Sequence, residues 1–235
     1  MAIGGVAAGS SPLVATTHQA TFNHAPDFLA DGSLELGRYE DLYYHGLVLL
    51  DRSSVDFGLK LDSHGHVVGY NNLFNFQRGI AQPEITVHYQ YATVLSFDFE
   101  SFSFGCSKKD LHSENDANDA QSCDLLVTGF AGNHDVAEAR AHFTGGRRGE
   151  VEMMQVVLGP EFRGLEEISF YTYGAPDTVF TIFDDMSYTT YTRGEDAAVQ
   201  SRKDVAKGKP AKGKQPDGSS SGLSKRCGWW NPIPF

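Results

Sequence analysis

No stretch of this chain approaches the roughly 18 consecutive apolar residues that a membrane-spanning helix requires. Tryptophan is nearly missing, and both copies, Trp229 and Trp230, fall in the last nine residues. Cysteine is scarce. The three present form no double Cys-x-x-Cys of the zinc-ribbon kind. There is no Gly-x-Ser-x-Gly elbow for a serine nucleophile, no phosphate-cradling glycine loop, and no EF-hand spacing in the acidic stretch Asp110–Asp124. Basic charge is lacking where a nucleic-acid surface would need it. The net charge is −11, and the segment from Glu195 to Arg226 holds eight Lys/Arg against four acids, so the remainder carries −15. A body that acidic repels phosphate backbones and anionic membranes, which argues against nucleic acid and membrane as partners. The tail alone suits polyanions, with a solvated linker as the plainer reading. Met1–Val14 is small and apolar but lacks the basic start and sustained apolar run of a signal peptide.

What the chain does have is aromatic residues and turn-makers: 16 Phe, 10 Tyr and 25 Gly. That mixture favours strands. In Tyr91–Cys106, Leu95, Phe97 and Phe99 share one face and Ser96 and Asp98 the other; Phe102 and Phe104 then resume one residue out of step. A bulge or break near Glu100–Ser101 accounts for the slip. Further strands are expected at Gly46–Leu50, His66–Tyr70, Glu84–Gln90, Asp124–Phe130, Glu150–Leu158, Glu167–Tyr173 and Thr178–Phe183. Turns are expected at Asp31-Gly32, Gly132-Asn133, Gly145-Gly146, Gly159-Pro160 and Gly174-Ala175-Pro176. Only Pro26–Tyr44 suits a short helix. The pattern predicts an all-β fold, a two-sheet antiparallel sandwich ahead of a barrel. It divides the chain into a flexible N-terminus (1–15), a β-sandwich (16–191), a disordered basic linker (192–226) and an aromatic, proline-containing C-terminal peptide (227–235).

Cys106 and Cys123 sit at the two mouths of one polar loop, between two expected strands. A disulfide there would contribute about 3 kcal/mol through the unfolded state; two free thiols in a reducing compartment are the alternative. Cys227 is left odd, in a position to pair between molecules.

The residues Tyr44-His45-Gly46-Leu47, the run Phe97 to Cys106, Cys123 to Gly129, Phe162-Arg163-Gly164-Leu165 with Ile168 and Phe170, and Phe183-Asp184-Asp185-Met186-Ser187-Tyr188 follow one another in a familiar order. Over about Thr21 to Tyr191 the chain resembles fungal extracellular jelly-roll domains of the carbohydrate-binding-module (galactose-binding-like) type. The resemblance implies a secreted binding domain with a glycan or an extracellular protein as partner. It also implies a structural Ca2+ on an Asp pair ending the last strand, matched here by Asp184 and Asp185. Where such a domain would show Phe-Asp-Asp, this chain has Phe22-Asn23-His24, so Asn23 and Asp27 are the remaining donors. Ca2+ takes six to eight oxygens, so the lost carboxylate weakens the set. A solvated Asp pair at a strand end is the alternative.

Three further groups bear on function. His64 and His66, six and eight residues after Gly58, fit the opening of a cupin metal motif, since imidazoles at i and i+2 on a strand point the same way. The next expected ligand, a Glu, is replaced by Asn71, and Asp62-Ser63-His64-Gly65 also makes a good hairpin turn. Tyr43, Tyr44, Tyr89, Tyr91, Tyr171 and Tyr173 are the aromatic residues left over for stacking on a sugar. Lys225-Arg226 is a dibasic site of the kind cleaved in fungal secretory pathways, and a cut there releases Cys227–Phe235. The alternative is an aromatic tail that docks on its own domain. Together the residues favour a non-catalytic extracellular binding module, ahead of a cupin-like metal enzyme and a peptide precursor. With no leader evident, a cytoplasmic location is the alternative. Oligomeric state stays open.

Overall fold

Period-two burial organises the chain into strands. The computed structural model describes residues 11–25, 35–51, 58–61, 65–108, 119–146 and 151–194. In chain order these form β1 (Leu13–Ala20), β2 (Glu35–Tyr39), β3 (Leu42–Asp51), β4 (Leu59–Lys60), β5 (His66–Tyr70) and helix α1 (Asn72–Gln77). There follow β6 (Glu84–Thr86), β7 (Val94–Lys108), β8 (Asp119–Ala120), β9 (Cys123–Ala131), β10 (His134–Phe143), β11 (Val151–Glu152), β12 (Met154–Val157), β13 (Glu167–Tyr173) and β14 (Val179–Arg193). The fold is all-β and its main sheet antiparallel, in the order β10-β9-β13-β6-β3-β5-β14-β7-β12, with β1, β2 and β8 added on β14, β3 and β7. A small parallel pair, β4 with β11, forms a separate sheet whose Leu59 belongs to the same core.

The sheet curls until its inner face closes on itself. Phe170 of β13 lies four strands away from β14 in the sheet order, yet its ring centroid is 4.8 Å from that of Phe183. It is also 6.1 Å from Phe102 of β7. Tyr70, Thr172 and Thr181 repeat the crossing in polar form, with hydroxyl distances of 2.7 and 2.6 Å that satisfy the buried oxygens. At one side Phe97 and Leu165 exchange two backbone hydrogen bonds of 2.8 Å. The core is thus one aromatic cluster, with Phe97, Phe99, Phe102, Phe104, Phe170, Phe183 and Tyr188 all buried.

The slip expected near Glu100–Ser101 is present. Along β7 and β14 the partners run Asp184↔Ser103, Ser187↔Ser101, Tyr188↔Phe99, so each strand carries one extra residue there. A second irregularity corrects the reading of Leu95. Tyr191↔Ser96 is followed by Thr192↔Val94, so Leu95 is the extra residue; Val94 takes the core position and Leu95 is exposed.

Other boundaries also move. The described part of Pro26–Tyr44 is strand (β2, and β3 from Leu42), not helix, and the short helix is at Asn72–Gln77. It starts there because Asn71 caps it, its Oδ1 accepting from the Phe74 N–H at 2.6 Å. The expected Glu150–Leu158 strand is split into β11 and β12, and Glu84–Gln90 shrinks to three residues. β1 begins at Leu13 and pairs with β14 out to Arg193, so strand enters the segment read as a flexible N-terminus. Gly132-Asn133 does turn β9 into β10, with Gly132 at φ 60°.

Candidate functional site

The structure sorts the six candidate tyrosines into four environments. Tyr44 is core: it is fully buried, its hydroxyl donates to Tyr188 Oη at 3.2 Å, and burial pushes its pKa far up. Tyr43 stacks on Tyr89 with ring centroids 6.1 Å apart. Arg38 lies over Tyr89 and pairs with Asp41 at 3.5 Å. Tyr89 Oη donates to the Asp41 carbonyl, so this group ties down the β2–β3 hairpin tip. Tyr91 stands nearby in sequence with its ring 81% exposed, at φ 66°.

Tyr171 and Tyr173 are different. Phe170 and Thr172 point inward and are buried, so alternation sends Tyr171 and Tyr173 to the outer face. Their rings lie 6.3 Å apart with planes 15° from parallel. The antiparallel register carries this face across two more strands. Tyr171 stands opposite Leu126 and Tyr173 opposite Asp124 on β9; those in turn face Arg140 and His142 on β10. His142 Nδ1 is 2.8 Å from Asp124 Oδ1, and Arg140 pairs with Glu138 at 3.0 Å. Gly174, at φ +73°, turns the chain away; a Cβ there would come within 2.8 Å of Asp124 Oδ2. The result is a sheet surface that joins one exposed ring, Tyr171, and one half-buried ring, Tyr173, to a carboxylate, an imidazole and a guanidinium. Rings present flat apolar area while charged groups make strong, directional hydrogen bonds to hydroxyls.

Asp184 and Asp185 sit where β14 changes neighbours. Its pairing with β5 ends at Phe183↔Val68 and its pairing with β1 begins at Met186↔Ala20. Asp184 is fully buried, its Oδ1 accepts from the Asp185 N–H at 2.9 Å, and Asp185 is held at φ 48°. Asn23 lies in the turn after β1, with Oδ1 accepting from Gly65 N–H at 2.7 Å just before β5. Strand pairing therefore delivers the Asn23 turn and the Asp pair to the same junction. A carbonyl or carboxylate oxygen that accepts one hydrogen bond keeps a second lone pair, the kind of donor a hard cation takes. Asp27 lies outside the described residues.

His66 opens β5, opposite Asp51; His64, its partner in the cupin reading, is outside the described residues. Among the described residues, no three His, Cys, Asp or Glu side chains converge as a metal site. Cys106 and Cys123 are joined by a disulfide, with Cα atoms 6.3 Å apart. Such a bond fits an oxidising compartment. Lys225, Arg226 and Cys227 lie outside the described residues.

One cluster has no sequence signal. His18 stacks on Tyr188 at 5.0 Å and lies 3.1 Å from Thr190 Oγ1. Glu40 and Asp41, the hairpin tip, each come within 4.0 Å of its ring nitrogens, and both are non-glycine residues at positive φ. Burial lowers the His18 pKa, opposed by Asp41. It raises that of Glu40, whose Oε2 is buried with no hydrogen bond among the described residues. Residues 18 and 40 meet only through tertiary pairing, which a local pattern cannot show. Set against known proteins, the chain matches no protein family and no curated protein.

Proposed function

We propose that this chain is a non-catalytic, secreted binding module whose ligand is a glycan, held on the outer face of β13, β9 and β10. The observation that supports this is the near-parallel pair of Tyr171, exposed, and Tyr173, half-buried, framed by Asp124, His142 and Arg140. Sugars present apolar C–H faces for the rings and hydroxyls for the charged groups. The disulfide is in keeping with secretion. Each ring contributes about 1 kcal/mol. Tyr171→Ala and Tyr173→Ala should therefore each weaken binding by roughly fivefold to tenfold, and the double variant by far more. The check is a glycan array followed by affinity measurement on the best ligand. The melting temperature should hardly move, because neither ring is in the core. No binding on the array, joined to turnover of any substrate on a panel, overturns the reading.

In the same proposal Asp184, Asp185 and Asn23, with Asp27, hold a structural Ca2+. Its role is to neutralise the Asp184 and Asp185 charges and fasten the junction of β1, β5 and β14. Calcium at about a hundredfold above its Kd should add about 2.7 kcal/mol of stability. Thermal melts in Ca2+ and in EDTA read this directly, and Asp184→Asn should erase the difference. Identical melting temperatures in the two buffers for the unaltered chain remove the site.

A further inference from the structure

We propose that the outer edge of β12 pairs antiparallel with the same edge of a second copy, extending the sheet across a two-fold axis. β12 ends the main sheet, and among the described residues it pairs only with β7. Its hydrogen-bonding directions follow from the register. Leu158 N–H donates to the Glu100 carbonyl, so by antiparallel alternation Met154 and Val156 also point their backbone groups at β7. Gln155 and Val157 point theirs outward. An edge of this kind is a template for another strand.

The two ends of the sheet are built differently. At the far end β10 carries Asp135, Glu138, Arg140 and His142 and a bulge between Asp135 and Ala137, the devices that discourage pairing. β12 has the sequence Met-Gln-Val-Val, with no charge and no proline. Val157 is 75% exposed and Met154 is exposed as well. Val156 and Leu158 face the core side and are only partly buried.

A second copy is the partner that this edge fits. With the two-fold axis at Val156, Gln155 and Val157 of each copy exchange backbone hydrogen bonds, Val156 meets its counterpart, and Met154 meets Leu158. The nearest carboxylate, Glu152, falls opposite Pro160. No acid meets an acid across the axis, although the chain as a whole carries −11. A strand of four residues makes a small interface, so the dimer is reversible and concentration-dependent. It does not depend on the glycan reading.

The test is sedimentation equilibrium of the full chain carrying Cys227→Ser, which removes any dimer linked through that thiol, over about a hundredfold range of concentration. A reversible monomer–dimer equilibrium is expected. Adding Gln155→Lys with Val157→Lys puts like charges directly opposite and should leave a folded monomer. Amide hydrogen exchange on the chain without the lysines gives an independent reading. Gln155 and Val157 should gain protection as concentration rises, whereas Met154 and Val156 stay protected throughout. A monomer at every concentration overturns the proposal. So does a dimer that survives the two lysines, or one that leaves Gln155 and Val157 unprotected.

Discussion

Phe170→Ala is expected to cost about 3–5 kcal/mol of folding free energy. The ring is fully buried and lies 4.8 Å from Phe183, 6.1 Å from Phe102 and 6.4 Å from Phe99. Those partners belong to β14 and β7, which reach β13 through the sheet only by way of β6, β3 and β5. Phe170 therefore fills space between the two layers, where backbone pairing on either side resists collapse into a cavity. The removed ring loses both its transfer energy and its dispersion contacts. Phe76→Ala is the control: that ring is 79% exposed on α1, and its loss should change stability by less than about 0.5 kcal/mol. Urea denaturation followed by far-ultraviolet circular dichroism measures both. The midpoint should fall for Phe170→Ala with the slope unchanged. Equal effects from the two alanines would mean that Phe170 does not bridge the layers.

The same residues show why the β class was legible in the sequence. Phe97, Phe99, Phe102 and Phe104 keep period two on either side of one slip, and only a bulged strand accommodates that. His66–Tyr70 and Glu167–Tyr173 coincide with β5 and β13 for the same reason: hydrophobic residues and turn residues agree. β10 was not legible. It is an edge strand, with only Ala137 and Phe143 buried, and its charges leave no apolar period to read. β1 escaped likewise, because its first five residues are exposed. Leu95 misled because an inserted residue is invisible to alternation until the partner strand is known.

The candidate surface was half legible. Tyr171 and Tyr173 are two apart on a strand that the alternation marks out, but nothing local separates them from Tyr43 and Tyr44, which also occupy a strand. The distinction is which face the sheet turns to solvent. Asp124, Arg140 and His142 join them only through strand register, across some 30 to 50 positions of chain. The cysteine pair was legible because loop mouths are local.

Removing that cross-link through Cys106→Ala with Cys123→Ala should lower stability by about 3 kcal/mol. The bond joins β7 to β9, and in the sheet order β13, β6, β3, β5 and β14 all lie between those two strands. It therefore staples the curled sheet across its layers rather than reinforcing neighbouring strands. In the folded state little else depends on it locally. β8 returns the chain to β7 at Ser107 and Lys108, and Gln121 N–H donates to the Cys106 carbonyl at 2.8 Å. Both sulfurs are buried, and alanine leaves no unsatisfied polar atom in their place. The loss should thus fall mainly on the unfolded state, which gains freedom once its 17-residue separation is no longer closed. That gives a signature distinct from the one expected of Phe170→Ala. An unfolded chain without the cross-link exposes more surface, so the urea slope should rise as the midpoint falls. A midpoint equal to that of the intact protein would show that the staple adds nothing to the fold. A fall with an unchanged slope would place its effect in native packing instead.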